Sequence, residues 1–207
     1  GREPVAQMQL TGTDAPAEEK LAFALAMEKA ARDYDARVEQ VGYDTVVTGN
    51  VSVRIVNTQG MDKQYAETFC GAYLQPVARE GESVSTAFDI RYARDFASLN
   101  AKALAESAAR KAVDGLHAAP VPSGCYRVII HNVAMTDLLE TFSPAFSAEN
   151  AQKELSLLKG KIGQQIAAPC VTIVDDPLSL EGFASRPFDA EGVPSRRNVV
   201  VENGVFR

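Results

Sequence analysis

The 207-residue chain carries 21 Lys and Arg against 27 Asp and Glu, and its net charge of −6 argues against a nucleic-acid surface built on clustered cations. Apolar residues at 46% and charged residues at 23% are ordinary globular composition, enough for one large domain or two small ones to bury a core. No apolar run nears the ~20 residues that span a bilayer, and the N-terminus has neither signal-peptide nor transit-peptide character. Cys70, Cys125 and Cys170 are odd in number and far apart. That makes a disulfide framework a poor fit and points to a reducing cytoplasm.

Gly1–Gln9 has no initiating Met and no structural signal. Thr13-Asp14 followed by Pro16 marks a helix start, and Phe23, Met27, Ala30, Ala31 and Tyr34 recur at helical spacing, predicting a helix from Ala17 to about Asp35. From Arg37 to Arg94 the texture is β-branched and aromatic. Strands are predicted over Val38–Thr48 and Val51–Asn57 across a Gly49-Asn50 hairpin turn, then over Lys63–Ala78 and Ser83–Arg94. Asn57–Gly60 and Glu80-Gly81-Glu82 are the other turns. Four strands in this order predict an antiparallel meander sheet. Asn100 caps a second helix in which Ala101, Leu104, Ala105, Ala108, Ala109, Ala112, Val113 and Leu116 form an apolar stripe ending near Gly115. Glu106 and Arg110 pair on its outer face for about 0.3 kcal/mol.

Ala118–Pro122 is a two-proline spacer and the expected boundary between units 1–117 and 118–207. Beyond it, Cys125–His131 reads as a buried strand, Met135–Phe142 and Ala148–Leu158 as helices, and Ile166–Val174 as a strand interrupted by Pro169. Short strands follow near Phe183, Val199–Val201 and Val205. A strand begun at Val205 has no partner if the protein stops at Arg207, so the chain reads as an interior piece. The predicted class is α+β: an antiparallel meander sheet packed by two helices, then the start of a mixed, mainly β domain.

A zinc peptidase needs imidazoles or thiolates converging on the ion and a carboxylate to take a proton from its water. The only histidines, His117 and His131, lie in different elements. His131 fits a hydrogen-bonded strand-end residue better than a lone ligand, and His117 is placed to meet the last carbonyls of the second helix. The three cysteines show no C-x-x-C pairing and read as small buried hydrophobes. Asp175, Asp176, Asp189 and Glu191 offer oxygen ligands for Mg²⁺ or Ca²⁺. They sit, however, in turn-forming contexts with no regular ligand-loop spacing, and the turn reading is favoured. Lys159-Gly160-Lys161-Ile162-Gly163 lacks the G-x-x-x-x-G-K-[ST] order of a phosphate loop. Ser123 and Ser143 have no base nearby in sequence, so nucleophilic catalysis has no support.

Several segments together carry a resemblance: Ser123-Gly124-Cys125-Tyr126-Arg127-Val128-Ile129-Ile130, Ser156–Gly163, Thr172–Pro177, Phe188-Asp189-Ala190-Glu191-Gly192-Val193-Pro194 and Glu202–Phe206. In order and spacing they resemble the TldD/PmbA family, whose TldD and TldE (PmbA) subunits pair into a bacterial zinc-dependent peptidase. Before Pro122 the likeness is looser and rests on Arg54–Gly60. Metal-binding members carry His-Glu-x-x-x-His shortly after the strand that Tyr126–Ile130 resembles; here Glu140 and Ala145 or Phe146 stand where the two histidines would fall. The resemblance thus implies a TldE/PmbA-type subunit with no catalytic, cofactor-binding or metal-binding residue of its own. A TldD-like partner would supply zinc, and the cavity between the subunits would admit unfolded peptides, with no nucleic-acid or membrane partner. The Lys63–Ala78 strand is the candidate edge for such peptides. Two alternatives stay open: a non-enzymatic regulatory module of the gyrase-modulator type, and a metallopeptidase using His131 with residues outside this chain.

Overall fold

Residues 5–207 are described by the structure, a computed structural model. Pro16 opens α1 (Ala17–Tyr34), but no side chain caps it. Asp14 instead accepts the Ala15 N–H and pairs with Lys20 at 2.9 Å. The chain turns through Asp35, whose carboxylate grips Arg37 by two hydrogen bonds of 2.8–2.9 Å, and enters β1 (Val38–Val56). β1 pairs antiparallel with β2 (Asp62–Glu80) along its length, closed by the expected Asn57–Gly60 turn with Gly60 at φ +84°.

The predicted Gly49-Asn50 turn is not formed; β1 runs straight through it. Gly49 faces Phe69, and a Cβ there would meet the ring at 2.5 Å, so the glycine makes room for an aromatic across the ladder. Asn50 accepts the Thr68 hydroxyl at 2.9 Å. A local turn signal is overridden by what stands opposite.

The predicted Ser83–Arg94 strand divides into β3 (Ser83–Thr86) and β4 (Asp89–Ala93), and both pair with β2. β2 is therefore flanked on both sides over Cys70–Leu74 and Val77–Glu80, which corrects that part of the expected edge at Lys63–Ala78, while Lys63–Phe69 has β1 as its one strand partner. The outer strands of this sheet are β1 on one side of β2 and β3 and β4 on the other.

α2 (Ala101–Asp114) starts where Asn100 Oδ1 accepts the Ala103 N–H at 2.9 Å. Its alanine stripe lets α1 and α2 approach the sheet closely. Met27, Ala31, Val38, Ala72, Leu74, Leu104, Ala105, Ala108 and Ala109 form one buried cluster. Glu106 pairs with Lys102 at 3.7 Å, where the sequence suggested Arg110. His117 takes a left-handed φ of +58° and meets Glu80 at 2.7 Å, not the α2 carbonyls. Asp89, 1% exposed, ties β4 to α2 between Arg91 (2.5 Å) and Lys111 (3.4 Å). Burial raises its pKa, but hydrogen bonds from Ser107 and the Ile90 amide, with both cations, win and hold it below the usual value. A depressed carboxylate stabilises the fold above its unfolded pKa and loses that contribution as pH falls through the folded one. Asp89→Asn is expected to cost about 2 kcal/mol near neutrality and progressively less below pH ~4, measured by urea unfolding across pH.

By contacts the chain forms two units, the first up to Pro120 together with Leu178–Ser195, the second Val121–Pro177 with Arg196–Arg207. Leu178–Ser195 lies on the sheet face opposite the helices. Phe188 is buried edge-on against Tyr65 at 5.2 Å, Phe183 packs on Tyr92 at 5.4 Å, and Lys63 Nζ donates to the Gly192 carbonyl at 2.6 Å. No strand forms near Phe183.

In the second unit, Cys125–Ile130 forms no strand, and Ile129 is 99% exposed, so the expected buried strand is absent. α3 (Asn132–Phe142) follows, and α4 (Ala148–Gln152) ends well before Leu158, Glu154 taking φ +60°. Only β5 (Ile173–Asp175) forms of the predicted Ile166–Val174 strand. It pairs with β6 (Asn198–Glu202), which pairs with β7 (Val205–Phe206) through an Asn203-Gly204 turn, so Val205 does have a partner. No described helix is long and apolar enough to cross a membrane.

Candidate functional site

The second unit brings the segment after α3 against the β6–β7 hairpin. A 3₁₀ turn over Ser143–Phe146 redirects the chain at Pro144. Ser156, nearly buried, donates to the Ala145 carbonyl at 2.5 Å and accepts the Leu158 N–H at 3.1 Å, so it pins the return loop beneath that turn. Gly160 and Gly163 take φ of +73° and +83°, and the Gly163 N–H reaches the Phe206 carbonyl at 2.8 Å. The Lys159–Gly163 run is thus a connecting loop seated on β7.

These elements enclose a cleft of about 420 Å³, the scale of a small-ligand or side-chain pocket. Its walls are apolar: Ala145, Phe146, Ala148, Ile162, Val200 and Phe206, with the two rings 6.0 Å apart. Charge is confined to the rim, where Lys159 pairs with Glu154 and Arg207 with Glu202. The lining holds no carboxylate, imidazole or thiol, and its apolar walls can receive an apolar group.

The residues singled out from the sequence fall as follows. Glu140 is exposed on α3, whereas Ala145 and Phe146 line the cleft. His131 caps α3, its Nδ1 accepting the Val133 N–H at 3.3 Å, and His117 lies in the first unit against Glu80. Cys70 is buried, and burial pushes its thiol up; Cys125 and Cys170 are exposed, against the expectation of three buried thiols. Asp189 forms an Asx turn, its Oδ1 accepting the Glu191 and Val193 N–H groups at 2.9 and 2.8 Å. Asp176 meets Arg197 at 3.4 Å. Asp175 and Asp176 belong to the second unit, Asp189 and Glu191 to the first. Ser143 Oγ donates to the Glu140 carbonyl at 3.0 Å. Among the described residues no three His, Cys, Asp or Glu side chains are grouped to hold a metal. The Phe146–Phe206 pair escaped the sequence reading; an aromatic on a short turn and another in the last strand were its only signal.

Two family models match the chain: the PmbA/TldA metallopeptidase central domain over residues 11–116 and the C-terminal domain of the same peptidases over 123–207. An uncharacterized protein of Methanocaldococcus jannaschii is 33% identical over 78% of this chain and 39% of its own length. A protein named metalloprotease PmbA homolog from Haemophilus influenzae is 25% identical over 89% of this chain and 41% of its own. Among solved structures, a Thermotoga maritima protein named as a candidate modulator of a DNA gyrase superposes with a TM-score of 0.94 at 33% identity, over 100% of this chain and 49% of its own. TldE from Thermococcus kodakarensis gives a TM-score of 0.79 at 27% identity, over 99% and 47%. The chain spans less than half the length of these relatives.

Proposed function

Because this chain belongs to the PmbA/TldD metallopeptidase family, we propose that it is the TldE/PmbA-type subunit of a two-subunit peptidase, acting on unfolded peptides in the cytoplasm. A TldD-like partner supplies the zinc ion and the base. The observation that carries this reading is the replacement of metal-site chemistry by apolar packing. Where the resemblance puts the second histidine, Ala145 and Phe146 line an apolar cleft; where it puts the first, Glu140 points into solvent. His131 spends Nδ1 on a helix cap. The residues present therefore do not fit a zinc ion.

Reconstitution tests the reading. The full-length protein, alone, is expected to hold less than about 0.1 zinc per chain by mass spectrometry and to leave an unstructured peptide intact. Mixed with a TldD-like subunit, it should give chelator-sensitive cleavage. Cleavage by the isolated protein would overturn the assignment. Full activity of the TldD-like subunit without it would favour a regulatory role, the sense of the name given to the Thermotoga relative.

A further inference from the structure

β1 turns a carboxyl group toward the helix layer. Asp44 stands opposite Leu74 across the β1–β2 ladder, and opposed residues share a face of the sheet. Leu74 is fully buried there, in the core cluster with Met27 and Ala31 of α1. Thr48, on the same face of β1, accepts a hydrogen bond from Lys20 of α1 at 2.6 Å. Asp44 is half-buried, and its Oδ1 is shut off from solvent with no hydrogen-bond donor. A buried acceptor without a donor costs free energy, and an ionised one costs more. The cations around it are engaged elsewhere. On α1, Arg32 directs Nε and Nη2 to Glu28 at 3.0 and 2.9 Å and Nη1 to the Glu39 carbonyl at 2.6 Å. Lys29 pairs with Asp33, and Lys20 with Asp14. β2 offers Ala72, Leu74 and Pro76 on this face. α2 meets the core through Leu104, Ala105, Ala108 and Ala109, while its Lys102 and Glu106 line the outer groove with α1. Burial first, and the like charge of Glu28 second, push the Asp44 carboxyl up to about 6.

We propose that Asp44 is a proton-operated release for α1: neutral, it lets the helix sit tightly on β1, and ionised, it favours lifting of the helix until the carboxylate reaches water. α1 is the element that can yield. β1 is held along its length by main-chain bonds to β2, whereas α1 rests on the sheet through side-chain contacts. Linkage sets the direction. A carboxyl whose pKa is higher in the docked state than in the open one stabilises docking fully below the open-state value near ~4. That contribution fades as pH rises to about 6 and is constant beyond it. Asp89 behaves in the opposite sense, because its carboxyl is held below the usual value. Acid therefore weakens the tie between β4 and α2 while it tightens the seat of α1 on β1. This device does not depend on which subunit carries zinc.

Hydrogen exchange of the full-length protein, read by mass spectrometry and corrected for the intrinsic effect of pH on exchange, tests it. Wild type and Asp44→Asn are compared at each pH, since asparagine keeps the shape of the neutral carboxyl and cannot ionise. The ratio of wild-type to variant exchange rates over the α1 amides should grow at least about fivefold between pH ~4 and pH ~7, then level off. The figure is modest because Asp44 is only half-buried. The same ratio over α2 should stay flat. Glu28→Gln removes the like charge and frees Arg32, so it should move the loss of α1 protection to lower pH. If circular dichroism shows Asp44→Asn unfolded, the Glu28→Gln profile decides alone. A ratio that does not change with pH, one that rises equally in α2, or a Glu28→Gln profile identical to wild type overturns the proposal.

Discussion

Phe188→Ala is expected to lower unfolding stability by about 3–5 kcal/mol, the cost of emptying a buried aromatic site. Phe188 is 1% exposed, rests edge-on against Tyr65, and anchors a turn closed by the Asp189 carboxylate and the Phe188–Pro194 bridge. The loss should be local first. Amides of Leu178–Ser195 should exchange with solvent faster than those of α2, since the segment has no helix or strand ladder of its own. Hydrogen exchange and guanidinium melts measure both. A stability change under 1 kcal/mol with unchanged exchange would show that the segment is held elsewhere.

Arg94→Met is expected to cost about 3 kcal/mol, because its guanidinium is a junction with no apolar substitute. It donates to the Leu10 carbonyl at 3.0 Å, the Thr68 carbonyl at 3.5 Å and the Gly182 carbonyl at 2.6 Å. It also lies over the Phe183 ring at 5.7 Å and approaches Glu67 at 3.9 Å. Methionine keeps most of the bulk but removes a donor from each of these carbonyls, of which Leu10 keeps the Thr68 N–H, and leaves Glu67 without this cation. Lysine at this position keeps the charge but not the fork, and should recover less than half of the loss. Chemical denaturation provides the number, and limited proteolysis near Gly182 provides the location. A fully restored Arg94→Lys variant would mean that charge alone matters.

Much of the first unit was legible in the chain. The apolar repeats of α1 and α2, the Asn100 cap and the Asn57–Gly60 turn are local patterns with local consequences. Gly49-Asn50 deceived because turn chemistry is read from neighbours in sequence, whereas a glycine opposite Phe69 answers to a neighbour in space. Cys125–Ile130 deceived in the opposite sense. Its composition suits a strand, but a strand exists only through a partner ladder, and none described stands beside it. At the candidate site, the scarcity of histidines was plain from composition. The cleft itself was not, because Phe146 and Phe206 come from distant stretches and meet only through the β6–β7 hairpin.

The sequence by itself determined the α+β class, the helices of the first unit, the acidic net charge and the family, since each follows from residue type and short-range spacing. Tertiary structure alone decided that β2 is the inner strand of the first sheet, that Leu178–Ser195 returns to that sheet, and that Ala145 and Phe146 build an apolar wall. Those outcomes depend on which surfaces remain to be buried once the local elements exist, and burial is a property of pairs of segments, not of any one of them.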